Sequence, residues 1–194
     1  MAIDSGILVN CEDLNAVGGV RQVILTDLSN ITAVAPATYS AATGALTSIT
    51  HTVDWARYEN KQGMAALTVN GTKENGATKY EVAVSFYIPN IEGGDFAALK
   101  KLESACPVAV VELFSGKMFV VGWSYVYQNQ AEGTEWWKRS QNYANLTSIE
   151  GGSGTAITDE NGVTVTLTAT QWELPLEYTG AITVESGDLT ASTS

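Results

Sequence analysis

The side chains best suited to chemistry are few and scattered. His51 is the only histidine of the 194 residues. It sits in a Thr-rich, strand-like stretch with no serine-nucleophile motif beside it, and a lone imidazole of that kind is expected to be structural or at the surface. Cys11 and Cys106 are the only cysteines. No CxxC, HExxH or GxxxxGK[ST] spacing occurs, so zinc, metalloprotease and phosphate-loop chemistry have nothing to stand on. The stretch "DENG", Asp159 to Gly162, starts with the oxygen donors of a calcium loop. It lacks the further ligands and the closing Glu at the right spacing, so it reads as a hairpin turn. Acid pairs such as Asp159-Glu160 also sit at turns. A glycosidase pair is set in space rather than in sequence, so a hydrolase with spatially paired carboxylates stays open as an alternative. No catalytic, cofactor-binding or metal-ligating residue is assigned, and no cofactor is expected.

The aromatic residues carry more information. Trp123, Tyr125 and Tyr127 alternate along one predicted strand, and Trp136 and Trp137 follow in a polar loop. A row of exposed rings serves as a sugar platform or a protein contact. The same rings also pack in cores, and both readings remain open for Trp123 and Tyr125. A carbohydrate-binding β-sandwich using Tyr127, Trp136 and Trp137, as a decoration or receptor-binding module, is the alternative this pattern supports.

Composition bounds the scaffold that must position these residues. An apolar share of 45% and a charged share of 16% suit a β-rich globular chain. A chain of this length buries roughly 70% of its unfolded surface, enough for a real core. The net charge is −11. Residues 1–139 hold all 10 bases against 14 acids, and residues 140–194 hold 7 acids and no base. A surface of that sign disfavours tight binding to nucleic-acid phosphates, which needs clustered Lys and Arg. It is compatible with standing close to DNA without holding it. The start, "MAIDSGILVNCEDLNAVGGV", has neither a basic n-region nor an apolar run of membrane-spanning length. Maturation in the cytoplasm of the producing cell, no membrane partner and two reduced thiols are therefore expected.

Strand signals dominate the chain. "GVRQVILTDLSNITAVA" predicts a strand, a turn at Ser29-Asn30 and a second short strand. Asn70-Gly71 and Asn75-Gly76 are hairpin signals, because both residue types accept positive φ. Tyr80, Val82, Val84, Phe86 and Ile88 alternate with polar or small residues, the clearest strand pattern present. Gly93-Gly94 then interrupts, with Asp95 as predicted N-cap and Phe96, Leu99, Leu102 and Cys106 on one helical face. Pro107 stops that helix. The apolar runs 108–111 and 118–121 predict strands buried on both faces around a turn at Ser115-Gly116. After Asn161-Gly162, Val163, Val165, Leu167 and Ala169 alternate with Thr164, Thr166, Thr168 and Thr170. A strand with a full Thr face is wet on that side or pairs with a polar surface. The expected division is an N-terminal arm over 1–16, a single domain over 17–179 with one helix near 95–105, and a flexible acidic tail over 180–194.

"GGVRQVILTDLSNITAV", the strand ending in "SFYIPNI", the helix "FAALKKLESAC", the hairpin "VAVVELFSGKMFVVG" and "TDENGVTVTLTA" occur in this order. Together they resemble the tail-tube and related virion structural proteins of tailed bacteriophages, of the kind found in phages of Bacteroidetes-like hosts. The likeness covers about residues 17–35 and 80–170, and its motifs are structural rather than catalytic. The resemblance implies a mainly β fold, an antiparallel sandwich or barrel flanked by one helix. It implies homo-oligomeric rings, often hexameric, that stack into a tube with other tail proteins while DNA passes through without sequence-specific binding. A neck or tail-terminator ring protein is the close alternative. In such a subunit Thr164, Thr166, Thr168 and Thr170 are expected to face the lumen. The Gly-punctuated stretch between Asp54 and Lys79 is expected to be an inter-ring loop, with Arg57, Glu59, Lys61, Gly71, Lys73, Glu74 and Gly76 as its contacts.

Overall fold

The computed structural model describes residues 18–36, 44–60, 63–90, 92–124, 143–154, 161–185 and 187–190. These residues are mainly β, with a single α-helix and several antiparallel sheets, as a β-sandwich with one flanking helix requires. A six-stranded sheet contains β1 (Val20–Asp27), β3 (Ala45–Leu46), β5 (Ala56–Glu59), β8 (Pro107–Leu113), β9 (Met118–Val121) and β12 (Leu176–Tyr178). Its order is β3-β12-β9-β8-β1-β5, antiparallel except where β12 meets β3. A four-stranded sheet has the order β10-β11-β7-β6, built from β6 (Ala66–Glu74), β7 (Ala77–Pro89), β10 (Asn145–Gly152) and β11 (Gly162–Gln171). Two two-stranded antiparallel sheets complete the fold: β2 (Ile31–Ala35) with β4 (Ser48–His51), and β13 (Ala181–Val184) with β14 (Gly187–Thr190).

The six-stranded sheet is the middle layer. From β8, Val108 and Val110 join one core with Ile24, Trp55, Met118, Tyr178, Ile182 and Val184. Ala109 and Val111 point the other way, into a second core with Val84, Phe86, Val165 and Leu167 of the four-stranded sheet. All four residues from Val108 to Val111 are fully buried. The continuous apolar run in the sequence is therefore the signature of a strand covered on both faces. Burying each of the three valines contributes roughly 1.5–3 kcal/mol relative to leaving it in water.

Three expectations need correction. The tail expected to fray from residue 180 begins with a core strand: Ile182 and Val184 are buried. The Trp55 backbone N–H donates to Thr183 O at 3.1 Å, which ties β13 to the body. Alternating Ile and Val outweigh the polar neighbours that suggested disorder. The second correction concerns the helix α1 (Gly93–Ser104). Its N-cap is Glu92, and Asp95 lies a turn inside, accepting the Glu92 backbone N–H at 2.9 Å. Third, only part of its predicted apolar face is covered. Leu99 is buried, Phe96 is 53% exposed, and Cys106 lies past the helix end. Residues 1–17 and 191–194 are outside the described residues.

One carboxylate fastens the β1 end to the helix–β8 junction. Asp27 accepts backbone N–H groups from Ser29 at 2.8 Å and from Cys106 at 2.9 Å. Leu28 N–H returns a bond to Cys106 O at 2.8 Å. Burial alone would push the Asp27 carboxyl up, but the hydrogen bonds from Ser29 and Cys106 outweigh it and hold the group below its ordinary range. A folded pKa below the unfolded one, about 3.9, gives stability that is present above that value. The stability is lost as pH falls through the folded pKa. Asp27→Ala should cost about 1–2 kcal/mol in urea titrations, and its stability should fall less steeply than wild type below about pH 4. Equal acid sensitivity in the variant and the wild type would contradict this assignment.

Candidate functional site

The surface best placed for function is the outer face of the four-stranded sheet. β11 lies inside that sheet, between β10 and β7. Along it Val163, Val165, Leu167 and Ala169 enter the second core, and Thr164, Thr166, Thr168 and Thr170 stand half-buried on the opposite face. The period of two in the sequence sets this division. Register extends the face sideways: Thr166 is flanked by Ser148 of β10 and Ser85 of β7, and Thr168 by Asn145 and Ala83. On β6, Ala66 and Thr68 continue these two rows. A bulge between Leu146 and Ser148 places Thr147 among them. Its Oγ1 lies 3.1 Å from Thr168 Oγ1 and donates to Thr166 O at 3.0 Å.

The central rows thus carry hydroxyl, amide and methyl groups and no charge. Ionised groups begin at the margins, with Glu150 opposite Thr164 and Glu81 opposite Thr170. Beside Thr164 the sheet is tightly fitted. Tyr87 lies over Gly162, where any Cβ would fall 2.1 Å from its hydroxyl oxygen. The sheet ends laterally in β10 and β6, and among the described residues neither outer edge has a partner strand. Unpaired edges are templates for further strand pairing.

The residues expected to form an inter-ring loop are distributed differently. Arg57 and Glu59 lie on β5 of the other sheet, as a bonded pair. Arg57 Nε also donates to Gln22 Oε1 at 2.7 Å, and the buried Gln22 donates in turn to Glu112. Arg21 pairs with Glu112 at 3.1 Å. These charges are held in a network along strands β5, β1 and β8. Lys61 lies outside the described residues. Gly71, Lys73 and Glu74 are in strand β6, and only Gly76 is in a turn, at φ +84° after Asn75 at φ +49°. The second Asn-Gly pair is the real hairpin turn, with positive φ at both positions. Gly71 serves a different end: it faces Tyr80, whose ring would lie 3.1 Å from a Cβ at that position. The expected loop is therefore a β-hairpin whose β6 strand is exposed from Thr68 to Glu74.

Other candidate residues separate clearly. Trp123 is 5% exposed and belongs to the first core, so it is no platform. Tyr125, Tyr127, Trp136, Trp137, Cys11 and the Asp159-Glu160 pair lie outside the described residues. His51 meets Trp55 edge-on, with ring centroids 6.0 Å apart. Cys106 is a free, half-buried thiol. Burial pushes its pKa up, and the nearby Asp27 charge adds to this. Among the described residues, no three His, Cys, Asp or Glu side chains are grouped to hold a metal ion. No helix of the described residues is long and apolar enough to cross a membrane.

No family model matches the chain, and neither the curated proteins nor the solved structures contain a detectable relative.

The two faces of β11 should answer differently to charge. Val165→Lys places an unpaired ammonium in the second core and should prevent folding. Thr166→Lys and Thr168→Lys should each cost about 1 kcal/mol and leave the fold intact. Circular dichroism and thermal melting check this, and a folded Val165→Lys protein would show that β11 is not packed as described.

Proposed function

We propose that the chain is a structural subunit of a tailed-phage virion, the tail-tube subunit, whose copies close into rings that stack around a DNA conduit. The observation that carries this reading is the four-stranded sheet, with an uncharged hydroxyl face bounded by carboxylates and, among the described residues, an unpartnered strand at each lateral edge. Joining β6 of one copy to β10 of the next would pair both edges at once. Repeated around an axis, the same contact closes a ring, for which the resemblance in sequence suggests six copies, and aligns the hydroxyl faces on one wall.

Such a wall suits its cargo. Rows of Lys or Arg would grip phosphates, each contact adding salt-dependent affinity. Hydroxyls backed by carboxylates keep the duplex hydrated and mobile, and the net charge of −11 has the repelling sign. Assembly would take place in the host cytoplasm and the mature location would be the virion tail. Partners would be further copies and other tail proteins.

Purified protein should sediment as closed oligomers and show rings or rods by negative-stain microscopy. A monomer at every concentration and salt tested would refute the reading. Phage carrying Thr166→Lys with Thr168→Lys should assemble tails but deliver DNA slowly or not at all. Normal infection by that variant would remove the face from the DNA path.

A further inference from the structure

The chain contains three Asn-Gly pairs: Asn70-Gly71, Asn75-Gly76 and Asn161-Gly162. In such a pair the glycine nitrogen can attack the asparagine side-chain amide, because glycine puts no Cβ in the way. The attack needs the peptide between the two residues to rotate until that nitrogen faces Cγ. What holds this peptide, and what surrounds the glycine, therefore decides the reactivity. The fold treats the three pairs differently.

Asn70-Gly71 is held in the β6–β7 ladder. The closing pair, Glu74 with Ala77, exchanges both main-chain bonds across a two-residue turn, and alternate pairs do so back along the hairpin. Asn70 and Glu81 are such a pair, so the Asn70 carbonyl is bonded, and the Tyr80 ring stands against Gly71. At the third pair, the Asn161 carbonyl accepts the Asn90 N–H at 2.8 Å, and Gly162 is buried beneath Tyr87. Asn75-Gly76 has neither restraint. It is the exposed turn of the hairpin, with φ +49° at Asn75 and +84° at Gly76. A Cβ built on Gly76 would meet nothing within 4 Å. Among the described residues neither the Asn75 side chain nor the Gly76 N–H has a hydrogen-bond partner. The two turn types that suit a two-residue hairpin differ by rotation of this central peptide, so the rotation leaves the flanking ladder in place.

We propose that Asn75 is a site of spontaneous covalent modification, converting through a cyclic imide to aspartate and isoaspartate while Asn70 and Asn161 persist. The Gly76 nitrogen gives its proton to solvent base and bonds to Asn75 Cγ. The Cγ–Nδ2 bond breaks, and Nδ2 takes up a proton and leaves as ammonia. Water then adds to one of the two imide carbonyls. Opening at Cγ restores the main chain with an aspartate. Opening at the main-chain carbonyl leaves isoaspartate, whose main chain runs through Cγ. Either product adds a negative charge to the hairpin tip of a chain of net −11. Isoaspartate also lengthens the main chain by one carbon in a turn fitted to two residues, so the Glu74–Ala77 pair no longer closes as before.

The test incubates the folded, full-length chain at mildly alkaline pH and follows all three Asn-Gly peptides by mass spectrometry, with isoaspartate scored separately by enzymatic methylation. The same incubation in urea is the reference, because unfolding removes all three local restraints. In the folded chain position 75 should convert at least about tenfold faster than positions 70 and 161. In urea the three rates should agree within about threefold. Isoaspartate should accumulate beside aspartate at position 75, since only the imide route produces it, and the Ala77 amide should exchange its hydrogen faster in the modified protein. Equal rates at the three positions of the folded chain overturn the proposal, as does a lead for position 70 or 161. So does aspartate without isoaspartate at position 75, or an Asn75 that persists in the folded chain while the urea sample converts.

Discussion

The constraint on which the fold depends is the burial of the six-stranded sheet on both faces. Once β8 and β9 are covered from two sides, every side chain along them must be apolar or bonded inside the layer. Val108 to Val111 meet this demand directly. Polar groups are pushed toward the sheet margin, where Gln22, Arg57, Glu112 and Arg21 satisfy one another. Leaving one member of such a network unpartnered costs more than the network contributes, because the desolvated remainder stays behind. This margin is therefore fixed scaffold rather than adaptable surface, although its charges read as a contact site in the sequence.

The four-stranded sheet has the complementary property. Among the described residues it is covered on one face only, so its outer face is open to carry whatever its surroundings demand. Thr is well suited to that position: its branched side chain favours the strand and its hydroxyl favours water. The hydrogen bond between the Thr147 and Thr168 hydroxyls shows these groups also bonding across strands. Few charges interrupt the face, and those present are mostly acids at its ends. A sheet covered on one side with unpaired edges is incomplete by itself, and on the proposed reading copies of the same sheet complete it.

Period-two patterns were the most legible part of the sequence. β11 follows its alternation residue by residue and β7 does so from Val82 to Phe86, because a strand between two others with one face buried has little freedom of register. Local turn chemistry was less reliable. Asn70-Gly71 and Asn75-Gly76 look alike in sequence, yet only the second turns the chain. Asn70 and Gly71 are held in the β6–β7 ladder opposite Glu81 and Tyr80, partners that no local window contains. Phe96 failed for a similar reason: helical periodicity identifies a stripe, while its coverage depends on which sheet end the helix meets. The role of residues 181–184 was hidden by their length. A four-residue strand gains its stability from Trp55, more than a hundred positions earlier, and not from its own pattern. A groove between the helix and the β1–β5 margin was illegible because its walls come from α1, β1, β5 and the turn after β13.

On the proposed reading the β6 and β10 edges are where copies would join. These edges run along the strands and face sideways, so contacts between them would add copies around an axis. Backbone pairing at an edge has little sequence dependence, and a net charge of −11 opposes it until several bonds form together. An open string of copies would leave one edge bare at each end, whereas a closed ring would pair both edges of every copy. Closed oligomers would therefore be favoured over open strings of the same copies.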